Sequence, residues 1–218
     1  MVKISRSSTA PASLALEKKK GSDAYNGSDV MIALNQDFHG KCYICEIDEL
    51  QTVQVEHLRP HCGGKNRDLM FSWDNLFLSC GHCNNVKNKK KYASSVIDCC
   101  KKDPEHHIKQ ELINGHVHIT PLDDLQESII TSELITECFE QVNTGTRTLE
   151  CRTRVVALSK TLSVLYKQLK KYKTNKNPKS IKTLHAMLNR NYKFAGFTRT
   201  YVRKHLEEYP DFEQDVLL

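Results

Sequence analysis

Cys42-Tyr43-Ile44-Cys45 and Cys80-Gly81-His82-Cys83 are the two stretches whose reading decides the fold. Each is a Cys-x-x-Cys pair, and each pair offers two thiolates to one tetrahedral zinc. Nine cysteines occur, at positions 42, 45, 62, 80, 83, 99, 100, 138 and 151. The odd number and the absence of an apolar signal core at the start argue against a disulfide framework and for metal binding. A redox reading needs one pair in a βαβ context, which the sequence lacks. Four cysteines close a zinc site, so the ion is expected to be structural. A segment of about 50 residues buries too little apolar surface to hold itself together and needs such a staple. Cys62, Cys99 and Cys100 read as spare thiols, and His82 as solvent-facing.

Between the pairs lie Glu56-His57-Leu58-Arg59-Pro60-His61-Cys62-Gly63-Gly64 and Trp73-Asp74-Asn75-Leu76, and Asn84-Asn85-Val86-Lys87 follows the second pair. This order resembles the HNH nucleases, in their cysteine-bearing branch with a ββα-metal fold. An acidic residue precedes a His, a Pro stands three residues on, a Gly pair and an Asn follow, and Asn and Lys come after the last Cys. The resemblance implies that Asn75 holds the His-bearing loop in position. It makes Asn84 the stand-in for a final His, an HNN variant, and Glu56 the stand-in for a more common Asp.

The residues support the same assignment physically. Val53 to Leu58 reads as a short strand, Gly63-Gly64 as a turn without a Cβ penalty, and Cys83 as a helix start, with Asn84 to Lys91 the helix. The knuckles would clamp strand to helix. Glu56 and Asn84 would then offer oxygens to a hard cation, Mg²⁺ or Mn²⁺. His57 would be the general base for a water attacking phosphorus. Lys87, Arg59 and Lys90 are candidates for phosphate contacts, and the Lys89 to Lys91 run for tracking a backbone. His61 reads as a satisfied loop histidine.

The remaining features set limits. The chain has 218 residues, 39% apolar and 27% charged, with a net charge of +6. That describes a globular protein with a modest basic excess, compatible with a polyanionic partner. No run approaches the roughly 20 apolar residues of a membrane span, and a cytoplasmic location is expected. The fold class expected is α+β: a ββα-metal HNH core, a β-hairpin and a mainly helical C-terminal region. The divisions are a flexible N-terminal arm over 1–27, the zinc-bearing core over 28–100, and the hairpin with its helices over 101–218. Ser28 or Asp29 would cap a short helix bearing Val30, Met31, Ile32, Leu34 and Phe38. Asn114-Gly115 between two apolar runs predicts a hairpin. Helices are predicted over Thr148 to Tyr172, around Ile181 to Leu188, and over Phe194 to Leu206, with a break at Asn175 to Pro178. Their basic residues, among them Arg152, Arg154, Lys160, Lys167, Lys170, Lys171 and Lys173, suit a nucleic-acid groove or a partner surface.

The layout also resembles the HNH subunits of bacterial anti-phage systems, the Septu-type and retron-associated nucleases, through Ile4 to Arg6 and Phe194-Ala195-Gly196-Phe197. That resemblance implies an ATPase partner of the ABC or SMC-like class, or a retron complex. The expected function is an HNH endonuclease acting on DNA by default. RNA, such as tRNA, is the alternative substrate, and a non-catalytic zinc module that binds nucleic acid or protein is the rival class.

Overall fold

Apolar residues at 30, 34 and 38 recur at one-turn spacing, and Val30, Leu34 and Phe38 are fully buried. Val30 and Leu34 lie on a helix that carries the chain toward the first knuckle, and Phe38 stands at its C-terminal cap. The structure, a computed structural model, describes residues 1–48, 50 and 52–217. In chain order it contains helices α1 (Ala12–Lys20) and α2 (Ser28–Asp37), strand β1 (Val53–His57), helix α3 (Arg67–Phe71), strand β2 (Leu76–Cys80) and helix α4 (Gly81–Lys87). Strands β3 (Ile108–Ile113) and β4 (His116–Pro121) follow, then helix α5 (Gln126–Glu140) and the two-residue strands β5 (Val142–Asn143) and β6 (Thr146–Arg147). Helices α6 (Leu149–Asn175), α7 (Pro178–Leu188), α8 (Ala195–Lys204) and α9 (Glu213–Leu217) complete the chain. The class is thus mixed helix and strand. Among the described residues no helix is long and apolar enough to cross a membrane.

β1 pairs antiparallel with β2, with His57 opposite Leu76 and Val53 opposite Cys80. β2 is buried along its whole length, so it reads as an uninterrupted run, Leu-Phe-Leu-Ser-Cys, and not as an alternation. α4 begins at once after it and ends at Lys87, four residues before the expected end. The second hairpin turns where expected. Asn114 and Gly115 both adopt positive φ, 51° and 78°, as a type I′ turn requires.

The first 27 residues differ from the expected flexible arm. Met1, Val2, Ile4 and Leu14 are buried, while Leu16 stays exposed. The Ile4 N–H donates to the Cys99 carbonyl at 2.9 Å. The Arg6 guanidinium lies 4.4 Å from the Trp73 ring centre, near Phe38 and Phe77, and donates to the Leu76 carbonyl. Few apolar residues suffice here because Ile4 and Arg6 are also held by hydrogen bonds to residues far along the chain. α2 starts at Ser28 with Gly27 as its cap; Asp29 instead accepts from the Ser13 hydroxyl at 2.6 Å, tying α1 to α2. Buried apolar side chains from all three divisions belong to one contiguous core.

α5 is not announced by the sequence pattern. It buries Leu134, Ile135, Cys138 and Phe139 and packs on β4, α4 and α6. The long helix α6 starts at a Thr148 cap and runs to Asn175, where Lys176 turns left-handed and Asn177 caps α7. Glu105 is buried among three arginines: Arg199 at 2.9 Å, Arg203 at 2.6 Å and Arg190 at 3.2 Å. Burial opposes its ionisation, but Arg199 and Arg203 outweigh burial and hold its carboxyl below the usual range.

Two outcomes are expected. A Cβ at Gly196 would run into the side-chain amide of buried Gln110, where α8 crosses β3. Gly196→Ala should therefore cost about 1–3 kcal/mol, read as a fall in denaturant midpoint; an unchanged midpoint contradicts the close crossing. The Glu105 cluster should stabilise fully above the free carboxyl's pH range and lose that contribution as pH falls through the depressed folded value. Glu105→Gln, which leaves the buried Arg199 guanidinium without its carboxylate, should cost about 3–5 kcal/mol at pH 7. It should also flatten the loss of stability on acidification, measured by denaturation at several pH values.

Candidate metal centre and the cleft beside it

The first knuckle is a tight turn. The Glu46 N–H donates to the Cys42 carbonyl at 2.9 Å, and the Tyr43 N–H donates to Leu78 of β2 at 3.0 Å. The second knuckle straddles a strand-to-helix junction. Cys80 ends β2 and caps α4, its sulfur accepting from the Cys83 N–H at 3.4 Å. The four Sγ atoms of Cys42, Cys45, Cys80 and Cys83 lie within 4.8 Å of one another, and all four residues are buried. Zinc–sulfur bonds of about 2.3 Å in a tetrahedron need sulfurs about 3.8 Å apart. The donor set fits a zinc ion and the cluster could hold one, with no position left for substrate.

The surroundings of the cluster come from the C-terminal half. Arg154 of α6 is buried and donates to the Cys80 sulfur at 2.8 Å, so it belongs to the cluster and not to an outer groove. Hydrogen bonds with Cys42, Cys45 and Cys83 hold the Cys80 thiol far below the usual thiol range, and Arg154 adds to this. Cys138 of α5 is buried with its thiol close to that of Cys83. His82 is half-buried, its Nε2 3.1 Å from the Cys138 carbonyl, which corrects the solvent-facing reading. Neither Cys138 nor Arg154 announces this role in sequence, because both reach the cluster from helices far along the chain.

One turn from the cluster opens a cleft of about 380 Å³ lined by Tyr25, Glu56, His57, His61, Asn84 and Lys87. β1 contributes Glu56 and His57, and α4 contributes Asn84 and Lys87. His57 Nε2 lies 3.0 Å from the Met70 carbonyl. A carbonyl only accepts, so Nε2 carries the proton and Nδ1 keeps a lone pair. Among the described residues Nδ1 has no protein partner and is not sealed from solvent. Burial lowers the His57 pKa to about 4, against the opposing pull of the Met70 carbonyl. The ring is therefore neutral at pH 7. Burial raises the Glu56 carboxyl to about 7, opposed by the Lys87 ammonium at 3.4 Å.

His61 shows the opposite polarity to His57. Its Nδ1 accepts from the Gly64 N–H at 2.8 Å, so its proton sits on Nε2. The ring lies 4.4 Å from that of His57, and Tyr25 from the N-terminal stretch packs edge-on to His57 at 4.5 Å. Sequence reasoning assigns neither residue to the site. His61 carries only the weak signal of a second histidine one loop turn from the first. Tyr25 carries none. The loop between His57 and Met70 turns through three consecutive positive φ values at Cys62, Gly63 and Gly64.

Asn75 lies outside the cleft and pins this loop. Its Nδ2 donates to the Arg59 carbonyl and the Leu69 carbonyl at 2.9 Å each, and its Oδ1 accepts from the Arg59 N–H at 2.7 Å. The Asn84 side chain is half-buried and makes no hydrogen bond among the described residues. Of the three phosphate candidates, Lys87 reaches the cleft. The Arg59 guanidinium turns away to the Val96 carbonyl at 3.1 Å, and Lys90 is exposed beyond α4. Lys89 and Lys91 are both drawn to Glu137 of α5, which offsets one of the three positive charges of that run.

No family model matches the chain. Among curated proteins it is similar to the Septu protein PtuB of Bacillus mycoides (strain KBAB4), 25% identical over 118 residues, 40% of each chain. The match thus spans about two-fifths of that relative's length. This distant similarity supports a Septu-related protein.

Arg154→Met should keep the fold but release bound zinc to a chelator about tenfold faster, since partners behind metal ligands are worth about 10–100-fold in affinity. Cys80→Ser should lose both the metal and cooperative unfolding. Wild-type zinc retention by Arg154→Met would contradict a role for the guanidinium.

Proposed function

We propose that the cleft hydrolyses phosphodiester bonds of nucleic acid with a divalent cation, as an HNH nuclease of the HNN type, and that the chain serves a Septu-related anti-phage system. The observation that carries this reading is the His57 tautomer. Its N–H is spent on a backbone carbonyl, so a lone pair faces the cleft that Glu56 and Asn84 share.

His57 Nδ1 takes the proton of a water as its oxygen attacks phosphorus. A neutral ring at pH 7 is ready for this, and the Met70 carbonyl keeps Nε2–H in place so that the ring cannot offer the wrong nitrogen. The Glu56 carboxylate and the Asn84 amide oxygen are the hard donors that would hold Mg²⁺ or Mn²⁺. Such a cation, when bound, neutralises charge on the phosphate and on the departing 3′ oxygen. Lys87 brings a further positive charge against Glu56. His61 Nε2–H is a free donor for a non-bridging phosphate oxygen. Asn75 acts at one remove: its three hydrogen bonds hold Arg59 and Leu69, and with them the loop between His57 and Met70. DNA is the default substrate and RNA the alternative. In the Septu-related setting, an ATPase partner of the ABC or SMC-like class would govern activity.

The test is cleavage of labelled DNA and RNA with added Mg²⁺ or Mn²⁺, using the chain alone and with its ATPase partner. His57→Ala should lower cleavage by roughly 10²–10⁴-fold, the usual worth of a general base. Its zinc content and unfolding midpoint should stay at wild-type levels. Equal cleavage by wild type and His57→Ala, or no cleavage by wild type with or without the partner, would leave a non-catalytic binding module as the better reading.

A further inference from the structure

From Cys151 to Leu206 the chain contains 15 lysines and arginines and no aspartate or glutamate. The structure sorts these cations into two groups. One group finds anions supplied by other parts of the chain. Arg154 meets the Cys80 sulfur, and Arg190, Arg199 and Arg203 surround Glu105. Lys173 and Lys176 pair with Glu208 and Asp211, and Lys193 and Lys204 with Asp48 and Glu111. The other group has no anionic partner among the described residues, and all of it lies on α6 and α7.

Four of these free lysines, Lys167, Lys170, Lys171 and Lys179, converge on a groove of about 620 Å³ between α6 and α7. The rest of the lining is amide and hydroxyl side chains, such as Asn177 and Ser180. No carboxylate faces the groove among the described residues. Four like charges gathered without a counter-charge repel one another and favour a polyanion over water. Amides and hydroxyls beside them supply the neutral hydrogen bonds that phosphate oxygens accept.

The other end of α6 borders the cleft. Thr153 shares a depression with Asn84, the α4 residue that also lines the cleft. Thr153, Lys160, Lys167 and Lys171 are exposed and recur at intervals of seven, seven and four, which keeps them on one face of α6. At about 1.5 Å per residue, Lys167 and Lys171 stand roughly 20–25 Å along the axis from the Arg154 level.

We infer that this face of α6, with the α6–α7 groove at its far end, binds the phosphate backbone of the nucleic acid whose scissile bond lies in the cleft. It is a sequence-independent anchor. A span of this length along α6 matches about six or seven base-pair steps of a duplex, at about 3.4 Å per step. The pairing pattern favours nucleic acid over an acidic protein segment, because the free cations continue beyond the groove along one face of α6 as far as Lys160 and do not form an isolated patch.

The inference rests on the reading of the cleft as acting on nucleic acid, and its test does not depend on cleavage. Binding of a fluorescent duplex of about 24 base pairs, DNA in one arm and RNA in the other, is measured by anisotropy against salt, with His57→Ala as the uncut background. Removing one lysine–phosphate pairing lowers the slope of log affinity against log salt by about 0.9. Lys167→Gln with Lys171→Gln should weaken binding about tenfold and lower the slope by about 2, in both arms. Lys173→Gln with Lys176→Gln removes the same charge from the same stretch of chain at carboxylate-paired positions and should change the slope by less than half as much. Equal effects of the two pairs would reduce the groove to net charge and overturn the inference. So would an unchanged duplex affinity in the first pair, including the case in which only its binding of polyglutamate falls. Cleavage failing while the two pairs differ as stated would count against the nuclease reading and leave the anchor intact.

Discussion

Four buried sulfurs, drawn within one coordination sphere of each other, set the angle between a strand pair and the helix that follows it. Cys80 serves three purposes at this point: it ends β2, caps α4 and accepts from Arg154. The first knuckle is meanwhile hydrogen-bonded to β2 through Tyr43. Because α4 leaves β2 at a fixed angle, Asn84 and Lys87 face Glu56 and His57 across one cleft. A structural zinc contributes about 10–16 kcal/mol of binding free energy in small modules, enough to dominate the folding of such a segment. Arg154 and Cys138 extend the clamp to α6 and α5, so the long basic helix is held to the same reference point as the cleft.

Within the cleft, burial has two consequences. It keeps His57 neutral, which a base at pH 7 needs, and it disfavours the charge on Glu56, which a cation ligand needs. Lys87 partly offsets the second effect. On the proposed nuclease reading, an arriving cation would favour the ionised carboxylate in the same sense as Lys87 does. Two histidines one loop apart carry complementary faces for the same reason. Each has one ring nitrogen committed to the backbone, and the backbone group decides which nitrogen is left for chemistry.

Local pattern makes much of this legible. The cysteine pairs, the Gly63-Gly64 turn, the Asn114-Gly115 hairpin and the periodicity of α6 each follow from residues close together in sequence. So does the gathering of Glu56, His57 and Asn84, since the knuckles dictate which ends of strand and helix meet. What stays hidden is set by distance along the chain. α5 is obscured because Ser128, Thr131 and Ser132 interrupt its buried face and its cap, Leu125, carries no side-chain acceptor. The order of the N-terminal stretch depends on Cys99, Trp73 and Leu76, none of them near it in sequence. Arg154 looks like any basic residue on a helix until the fold brings a thiolate to it, and Tyr25 shows its place only once the fold packs it against His57.

The most direct measurement is a Mn²⁺ titration of the zinc-loaded, isotope-labelled protein followed by NMR. Selective paramagnetic broadening of the Asn84 side-chain amide and the His57 ring, abolished in Glu56→Gln, is the result expected if strand and helix meet at one cation site. Broadening confined to surface carboxylates such as Asp123 or Glu213, with Asn84 and His57 sharp, would contradict the account.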